Sequence, residues 1–294
     1  MAEFEIKAGI RSGIIKDIQR DDYHADLHLH SRFSDGAYTP DELVVKARQA
    51  GLSVISIVDH DHIGGIGAAT EVGKSLGIEV VPGVELSVAV RDKDVHILAY
   101  FFDPTNQELL DYLAFFRRER FRRAQRIIQK LNKLNVPLKF ETVVDIAGEA
   151  AIGRPHIAGA LLEEGYTDTY QEAFIKYIGT GGPAFEKKFQ ATAQDVIQLV
   201  GRAKGLTFLA HPSHYTTDFE LSSLIQLGLD GIEVVHPSHS ELRQDFYRGV
   251  VNQYFLLESG GSDLHGGKKG DDQNFGTFIV PLHYVEAMRN RLFA

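Results

Sequence analysis

The chain has 294 residues, 44% hydrophobic and 24% charged, an ordinary balance for one large globular domain or one domain carrying an insert. Its net charge of −9 argues against a general nucleic-acid coat protein, and the absence of cysteine excludes disulfides and thiolate zinc sites. No apolar run approaches the roughly 20 residues that cross a bilayer, and the opening MAEFEIKAGIRSG lacks a signal-peptide core, so a cytoplasmic location without membrane attachment is expected.

Residues 1–22 carry no interpretable motif. Residues 25–30 alternate as a short strand, and 40–50 read as a helix with Thr39 as N-cap and Pro40 at its first position. The β-branched run 53–58 predicts a buried parallel strand. A small-residue helix over 64–76 stops at Gly77, and strands follow at 79–81, 84–90 and 95–102. From 103 to 191 the pattern is helical, opening with a long helix over 107–134 that carries Arg117, Arg118, Arg120, Arg122, Arg123 and Arg126. The β/α rhythm then resumes with a helix at 193–203, a strand at 207–210 and a helix at 221–227. Strands at 231–235, 255–259 and 278–280 follow, and a helix over 284–292 ends the chain. The expected organisation is an α/β barrel-like core from 1–102 and 192–294, interrupted by a helical insert over 103–191.

Six histidines fall at what read as the C-terminal ends of strands: His28 and His30 in DLHLHS, His60 in VDHDH, His96 in DVHILAY, His211 in FLAHPSH and His265 in SDLHGG. Imidazoles brought together from separate strand ends are how an α/β barrel assembles a metal centre. Side chains at i and i+2 of a strand share a face, so His28 and His30 can grip one ion, and Asp263 and His265 repeat that geometry. A lone His-x-His belongs as readily to a surface strand, and His96 alone reads as a core histidine. It is their recurrence beside Asp35, Glu85 and Asp263 that favours a metal site. Glu85, after the Pro82-Gly83 turn, is costly in an apolar strand unless paired or liganding. Asp59 and Asp61 read as orienting groups or helix caps, and His214 and His239 as weaker candidates.

Together, DLHLHS, VDHDH, GVELS, His96, AHPSH and SDLH resemble the successive motifs of the PHP (polymerase and histidinol phosphatase) superfamily, over nearly the whole chain. GRPHIA at 153–158 and EAFIKYIGTGGPAF at 172–185 resemble a branch of 3′,5′-nucleoside bisphosphate phosphatases, some of them 5′→3′ exoribonucleases on short RNA. The resemblance implies an α/β fold: a distorted (β/α)7 barrel with an inserted small helical domain and two or three divalent metals. His28, His30, Glu85 and Asp263 would hold the first ion. Glu85 would bridge to a second held by His96 and His211, and Asp35, His60 and His265 would hold the third. Aspartate at position 35, where many members have histidine, favours manganese over zinc, with iron also compatible.

Two ions about 3.5–4 Å apart can hold a hydroxide that attacks phosphorus in line, so no nucleophilic side chain is needed. This fits a chain without cysteine or a GxSxG motif. Three divalent ions outweigh three ligand carboxylates, leaving a cationic pocket on an acidic protein. Arg154 and His156 resemble the family's phosphate contacts, the plainer and less favoured reading being that Arg154 caps a helix carboxylate. His236, in EVVHPSH, could contact the leaving side or play a structural part. The arginine run is either a solvated face paired with acids such as Glu119 and Asp111 or a guide for an oligonucleotide. The leading expectation is an enzyme that hydrolyses the 3′-phosphate of nucleoside 3′,5′-bisphosphates and acts on short RNA, without a stable nucleic-acid complex. The alternatives are a histidinol-phosphatase-like monoesterase, against which the GRPH insert argues, and a non-catalytic PHP module, which would be expected to lose ligands.

Overall fold

The computed structural model describes residues 24–91, 93–212 and 218–293. Residues 1–22 and His214, singled out above, lie outside that range.

The chain begins with β1 (His24–Leu29), α1 (Pro40–Gln49), β2 (Val54–Ile57), α2 (Gly65–Leu76) and β3 (Glu79–Val80). Thr39 caps α1 as expected: its hydroxyl accepts from the Glu42 amide, and the Glu42 carboxylate accepts from the Thr39 amide. Gly77, at φ 70°, ends α2 in the left-handed conformation that glycine tolerates best. β1, β2 and β3 are parallel, and β10 (Val280–Pro281) runs antiparallel to β1.

The second sheet has the order β6-β4-β5-β7-β8-β9, with β4 (Gly83–Val90), β5 (Lys93–Tyr100), β6 (Ala191–Thr192), β7 (Leu206–Leu209), β8 (Gly231–Val235) and β9 (Leu257–Gly260). Here the structure corrects the uniform β/α reading. β4 and β5 form an antiparallel hairpin, and β5 is antiparallel to β7. His96 is therefore not at a strand's C-terminal end but in the first half of β5. Its reversed direction brings it opposite Ser87 and beside the end of β7, where the Ala210 amide donates to the His96 carbonyl. Two isolated bridges, Leu29 to Leu264 and His60 to Glu85, link the two sheets.

Between β5 and β6 lie α3 (Gln107–Lys133), α4 (Phe140–Ala147), α5 (Arg154–Glu163) and α6 (Tyr170–Ala173), the last continuing into a π-helical turn, Phe174–Ile178. From Ala124 to Ala184 these segments bury a hydrophobic cluster of their own, including Ile127, Leu131, Val143 and Leu161. After β6 come α7 (Ala193–Arg202), α8 (Asp218–Gln226), α9 (Glu241–Tyr254) and α10 (Leu282–Leu292). α9 has no counterpart in the sequence reading; only Tyr247 and Val251 of its residues are buried, too few for a clear apolar stripe. Among the described residues, no helix is long and apolar enough to cross a membrane.

One glycine ties this framework to the site below. A Cβ at Gly261 would lie 2.5 Å from the His28 amide nitrogen and 2.6 Å from the Asp26 carboxylate. Strand β1 cannot yield there without moving His28. Gly261→Ala is expected to lower stability by about 1–3 kcal/mol and to weaken metal uptake, read from denaturant unfolding and metal analysis of one preparation.

Candidate metal centre

Glu85 is 1% exposed, and five imidazoles converge on its carboxylate. His96 Nδ1 and His211 Nε2 approach Oε1 at 2.7 and 2.9 Å; His30 Nε2, His60 Nδ1 and His28 Nε2 approach Oε2 at 3.2, 3.2 and 3.5 Å. Strand register explains the hairpin's share. Glu85 and Ser87 share a face of β4, and His96 is paired with Ser87, placing it diagonally beside Glu85. The others arrive from loops after β2 and β7 and from β1 and its end.

Asp263 Oδ1 lies 3.2 Å from the Nε2 atoms of both His28 and His30. Asp35 Oδ1 lies 3.4 Å from His265 Nε2, 3.9 Å from His60 Nε2 and 4.0 Å from His30 Nδ1. Four groups of close donor atoms result: His30, Asp35, His60 and His265; His28, Glu85 and His211; His28, His30 and Asp263; His60, Glu85 and His96. All nine residues expected as ligands are brought together. The groups share His28, His30, His60 and Glu85, so they overlap rather than divide into the three sets implied by the resemblance.

The donor set fits cations. A carboxylate offers about four lone-pair directions, too few for five imidazole donors. The His28 and His30 Nε2 atoms face each other at 3.2 Å, and buried Asp35 Oδ1, His60 Nδ1 and His96 Nδ1 lack hydrogen-bond partners. Although burial opposes it, the His60 and His96 imidazoles hold the Glu85 carboxyl well below the usual carboxylate range. Burial likewise opposes the His28 imidazole, which still holds Asp263 well below that range. His211 and Asp263 adopt φ of 29° and 49°, left-handed conformations that strain such residues and recur at functional sites.

The histidines are also aimed from behind. His28 Nδ1 donates to Glu233 Oε1 at 2.8 Å, leaving Nε2 toward the cluster, and Glu233 Oε2 accepts from the His211 amide at 2.6 Å. His265 Nδ1 donates to the Asp263 carbonyl at 2.8 Å, freeing Nε2 toward Asp35. Asp59 accepts from the Ser31 amide and from the Ser31 and Ser34 hydroxyls, bracing the loop that carries Asp35. Sequence reasoning missed Glu233; its only local signal is a lone acid in the apolar strand GIEVV.

The PHP domain family model matches residues 26–210, a span holding six of the nine clustered residues and both hairpin strands. The chain belongs to the PHP domain family. It is similar to a 5′-3′ exoribonuclease of Haemophilus influenzae, 32% identical over 82% of this chain and 89% of the relative. It is also 30% identical to a 3′,5′-nucleoside bisphosphate phosphatase of Chromobacterium violaceum, over 87% of this chain and 93% of that protein. A crystal structure described as a metal-dependent phosphoesterase from Bifidobacterium adolescentis superposes with a TM-score of 0.84 at 31% identity, covering 91% of this chain and 96% of that one. This PHP protein is accordingly a metal-dependent phosphoesterase, with a cluster of His, Asp and Glu able to bind metal.

Beside the cluster is a cavity of about 180 Å³, whose lining includes Asp35, His60, Asp94 and His96 together with Arg120, Arg123, Arg154 and Lys188. Lys188 Nζ lies 3.2 Å from His96 Nε2, 2.9 Å from Ser87 Oγ and 2.8 Å from Asp94. Nothing in its local sequence marks it. The arginine run divides by face: Arg120 binds buried Asp61 at 2.5 Å and Arg123 donates to the Glu186 carbonyl, whereas Arg122 pairs outward with Glu119. Burial, with Arg154 and Arg120 nearby, pushes the Arg123 guanidinium down to about 10. Asp61 and Asp94 offset Arg120 and Lys188, while Arg123 and Arg154 donate to backbone carbonyls.

Arg154 lies over the Phe174 and Phe185 rings and donates to the Ile178 carbonyl at 3.4 Å. His156 differs from the expected substrate contact: Nδ1 accepts from the Gly153 amide and Nε2 donates to the Ser34 carbonyl. With both nitrogens committed to backbone, it braces α5 against the Asp35 loop. His236 does reach the centre, with Nε2 3.3 Å from Asp263 Oδ2. His239 is buried, with Nδ1 on the Val234 carbonyl, and stays out of the cluster.

Glu233→Gln keeps the side chain's size but removes its charge behind His28 and His211. Metal affinity and phosphoesterase activity should both fall about 10- to 100-fold, measured by metal titration and steady-state kinetics. Unchanged values for both would contradict the aiming role.

Proposed function

We propose that this PHP phosphoesterase hydrolyses the 3′-phosphate of nucleoside 3′,5′-bisphosphates and removes nucleotides from the 5′ end of short RNA. The observation that carries this reading is the cationic cavity adjoining the metal cluster. Its 180 Å³ falls below the roughly 300–1,000 Å³ of pockets that enclose a drug-sized ligand, and four cations line it beside the two carboxylates of Asp35 and Asp94. That suits a second phosphate better than a whole nucleoside. The likeness to proteins named as a bisphosphate phosphatase and an exoribonuclease supports the same reading.

His28, His30, Asp35, His60, Glu85, His96, His211, Asp263 and His265 would hold two or three divalent ions. Manganese is favoured over iron or zinc by a donor set of imidazoles and carboxylates without thiolate. Such ions supply Lewis acidity and a water acidic enough to attack phosphorus at neutral pH. The chain's own residues select and orient. Arg120, Arg123, Arg154 and Lys188 hold the non-reacting phosphate, fixing the distance to the reacting one. His236 stands beside Asp263 at the edge of the cluster, where it can contact a phosphate oxygen.

In this reading the two sheets and their two bridges form one distorted barrel in the order β1-β2-β4-β5-β7-β8-β9. Residues 103–191 form the inserted helical domain that delivers the cations to its mouth. A cytoplasmic site of action agrees with the cysteine-free sequence.

A panel of nucleoside mono- and bisphosphates assayed for released phosphate with manganese tests the substrate. Arg154→Ala should lower kcat/KM for a 3′,5′-bisphosphate about 10- to 100-fold and leave p-nitrophenyl phosphate hydrolysis nearly intact; equal loss on both would refute a second-phosphate role. Chelation should abolish turnover and, because ligand binding to the native state alone is stabilising, lower Tm. Manganese should restore both.

A further inference from the structure

A second, larger cavity of about 690 Å³ meets the first at Ser34, Asp35 and Pro155, so that Asp35 stands between them. Its character differs. Phe33, Ile146 and Tyr170 give it aromatic and aliphatic walls, and Arg32 and Lys269 supply cations. Lys269 Nζ lies 2.6 Å from Asp35 Oδ2, at the junction with the metal cluster. Room is kept by glycines: a Cβ at Gly148 would meet nothing within 4 Å, and one at Gly159 only Ile146 Cγ2 at 3.8 Å. The volume lies within the roughly 300–1,000 Å³ of ligand pockets, and aromatic faces with flanking cations are how single-stranded nucleic acid is held without base readout.

We propose that this cavity is a downstream-nucleoside subsite, taking the nucleoside joined through its 5′-oxygen to the reacting phosphate. The proposal rests on the function given above. A 5′-phosphorylated dinucleotide would place its first phosphate in the small cationic cavity, its internucleotide phosphate at the metal cluster and its second nucleoside in the large cavity. Hydrolysis then balances simply. A water oxygen bonds to phosphorus, the bond from phosphorus to the first nucleotide's 3′-oxygen breaks, and that oxygen takes up the water's proton. The products are a 5′-mononucleotide and the second nucleoside carrying a new 5′-phosphate, which is the starting group for another cycle. A nucleoside 3′,5′-bisphosphate undergoes the same bond changes with the large cavity unfilled. One centre thus serves as phosphatase or exonuclease according to what the large cavity holds.

The test compares adenosine 3′,5′-bisphosphate with a 5′-phosphorylated adenosine dinucleotide in Gly159→Leu, whose side chain would project into the large cavity from α5. The ratio of kcat/KM for dinucleotide over bisphosphate should fall about tenfold or more. Gly159→Ala, which fits the available space, should leave the ratio at the wild-type value. If Gly159→Leu fails to fold by thermal melting, Arg32→Glu replaces it, assayed on a 5′-phosphorylated adenosine trinucleotide, whose further phosphate the new carboxylate would repel. It should lower the trinucleotide-over-bisphosphate ratio.

An unchanged ratio in a folded variant would overturn the subsite. So would equal loss on both substrates, which would place the first nucleoside there instead. Wild-type protein that turns over the bisphosphate but not the dinucleotide would overturn this inference and the RNA half of the proposed function, leaving the phosphatase half standing. Loss of the ratio effect with both substrates turned over would overturn the subsite alone. Failure on both substrates would remove the proposed function and the inference with it.

Discussion

The buried Glu85 carboxylate is the constraint around which the rest is arranged. A fully desolvated carboxylate is among the most expensive groups to place inside a protein, and it is tolerated where charges of opposite sign surround it. Five imidazoles from β1, β5 and the loops after β1, β2 and β7 do so here. Imidazoles so close to one another are themselves unfavourable if all are protonated. Divalent cations resolve both difficulties, which gives a physical reason for the metal dependence of the family. The antiparallel hairpin is part of that solution, because it puts His96 diagonally beside Glu85 instead of a full crossover away.

Supporting contacts carry this arrangement outward. Glu233 reaches two of the histidines from β8, and Asp59 fastens the loop that presents Asp35. The helical region connects through a second layer: Arg120 of α3 pairs with Asp61, and His156 of α5 holds the Ser34 carbonyl. Segments more than 50 residues apart in sequence are thereby fixed around one small space. The cations of α3 and α5 then line the cavity beside the cluster together with Asp35 and Asp94. In such a low-dielectric setting a phosphate is recognised by charge and by guanidinium geometry together.

Much of the centre was legible in the chain. The i, i+2 spacing of His28 with His30 is a local property of extended backbone, so sequence alone places that pair on one face. Asp263 and His265, expected to repeat it, lie in the loop beyond β9 with Asp263 at φ 49°, and reach the cluster by that turn instead. The Thr39 N-cap and the start of the long α3 helix are equally local, and both were readable. Strand direction was not. Nothing within VELSVAVRDKDVHILAY shows unaided that the second half turns back antiparallel. Nor does the arginine run reveal that Arg120 and Arg123 point inward while Arg122 points out, because that depends on what packs against α3.

By itself, then, the sequence determined the chemistry: a cysteine-free set of imidazoles and carboxylates, repeated at strand spacing, whose motifs match a metal-dependent phosphoesterase family. Only the tertiary structure decided how those groups are shared and supported. Glu233, Lys188 and the committed nitrogens of His156 owe their positions to partners far away in the chain. Ligand type and spacing are written in neighbouring residues, whereas a cavity between packed elements has no sequence neighbourhood of its own. The two chambers that meet at Asp35 exist only once the helices rest on the sheets.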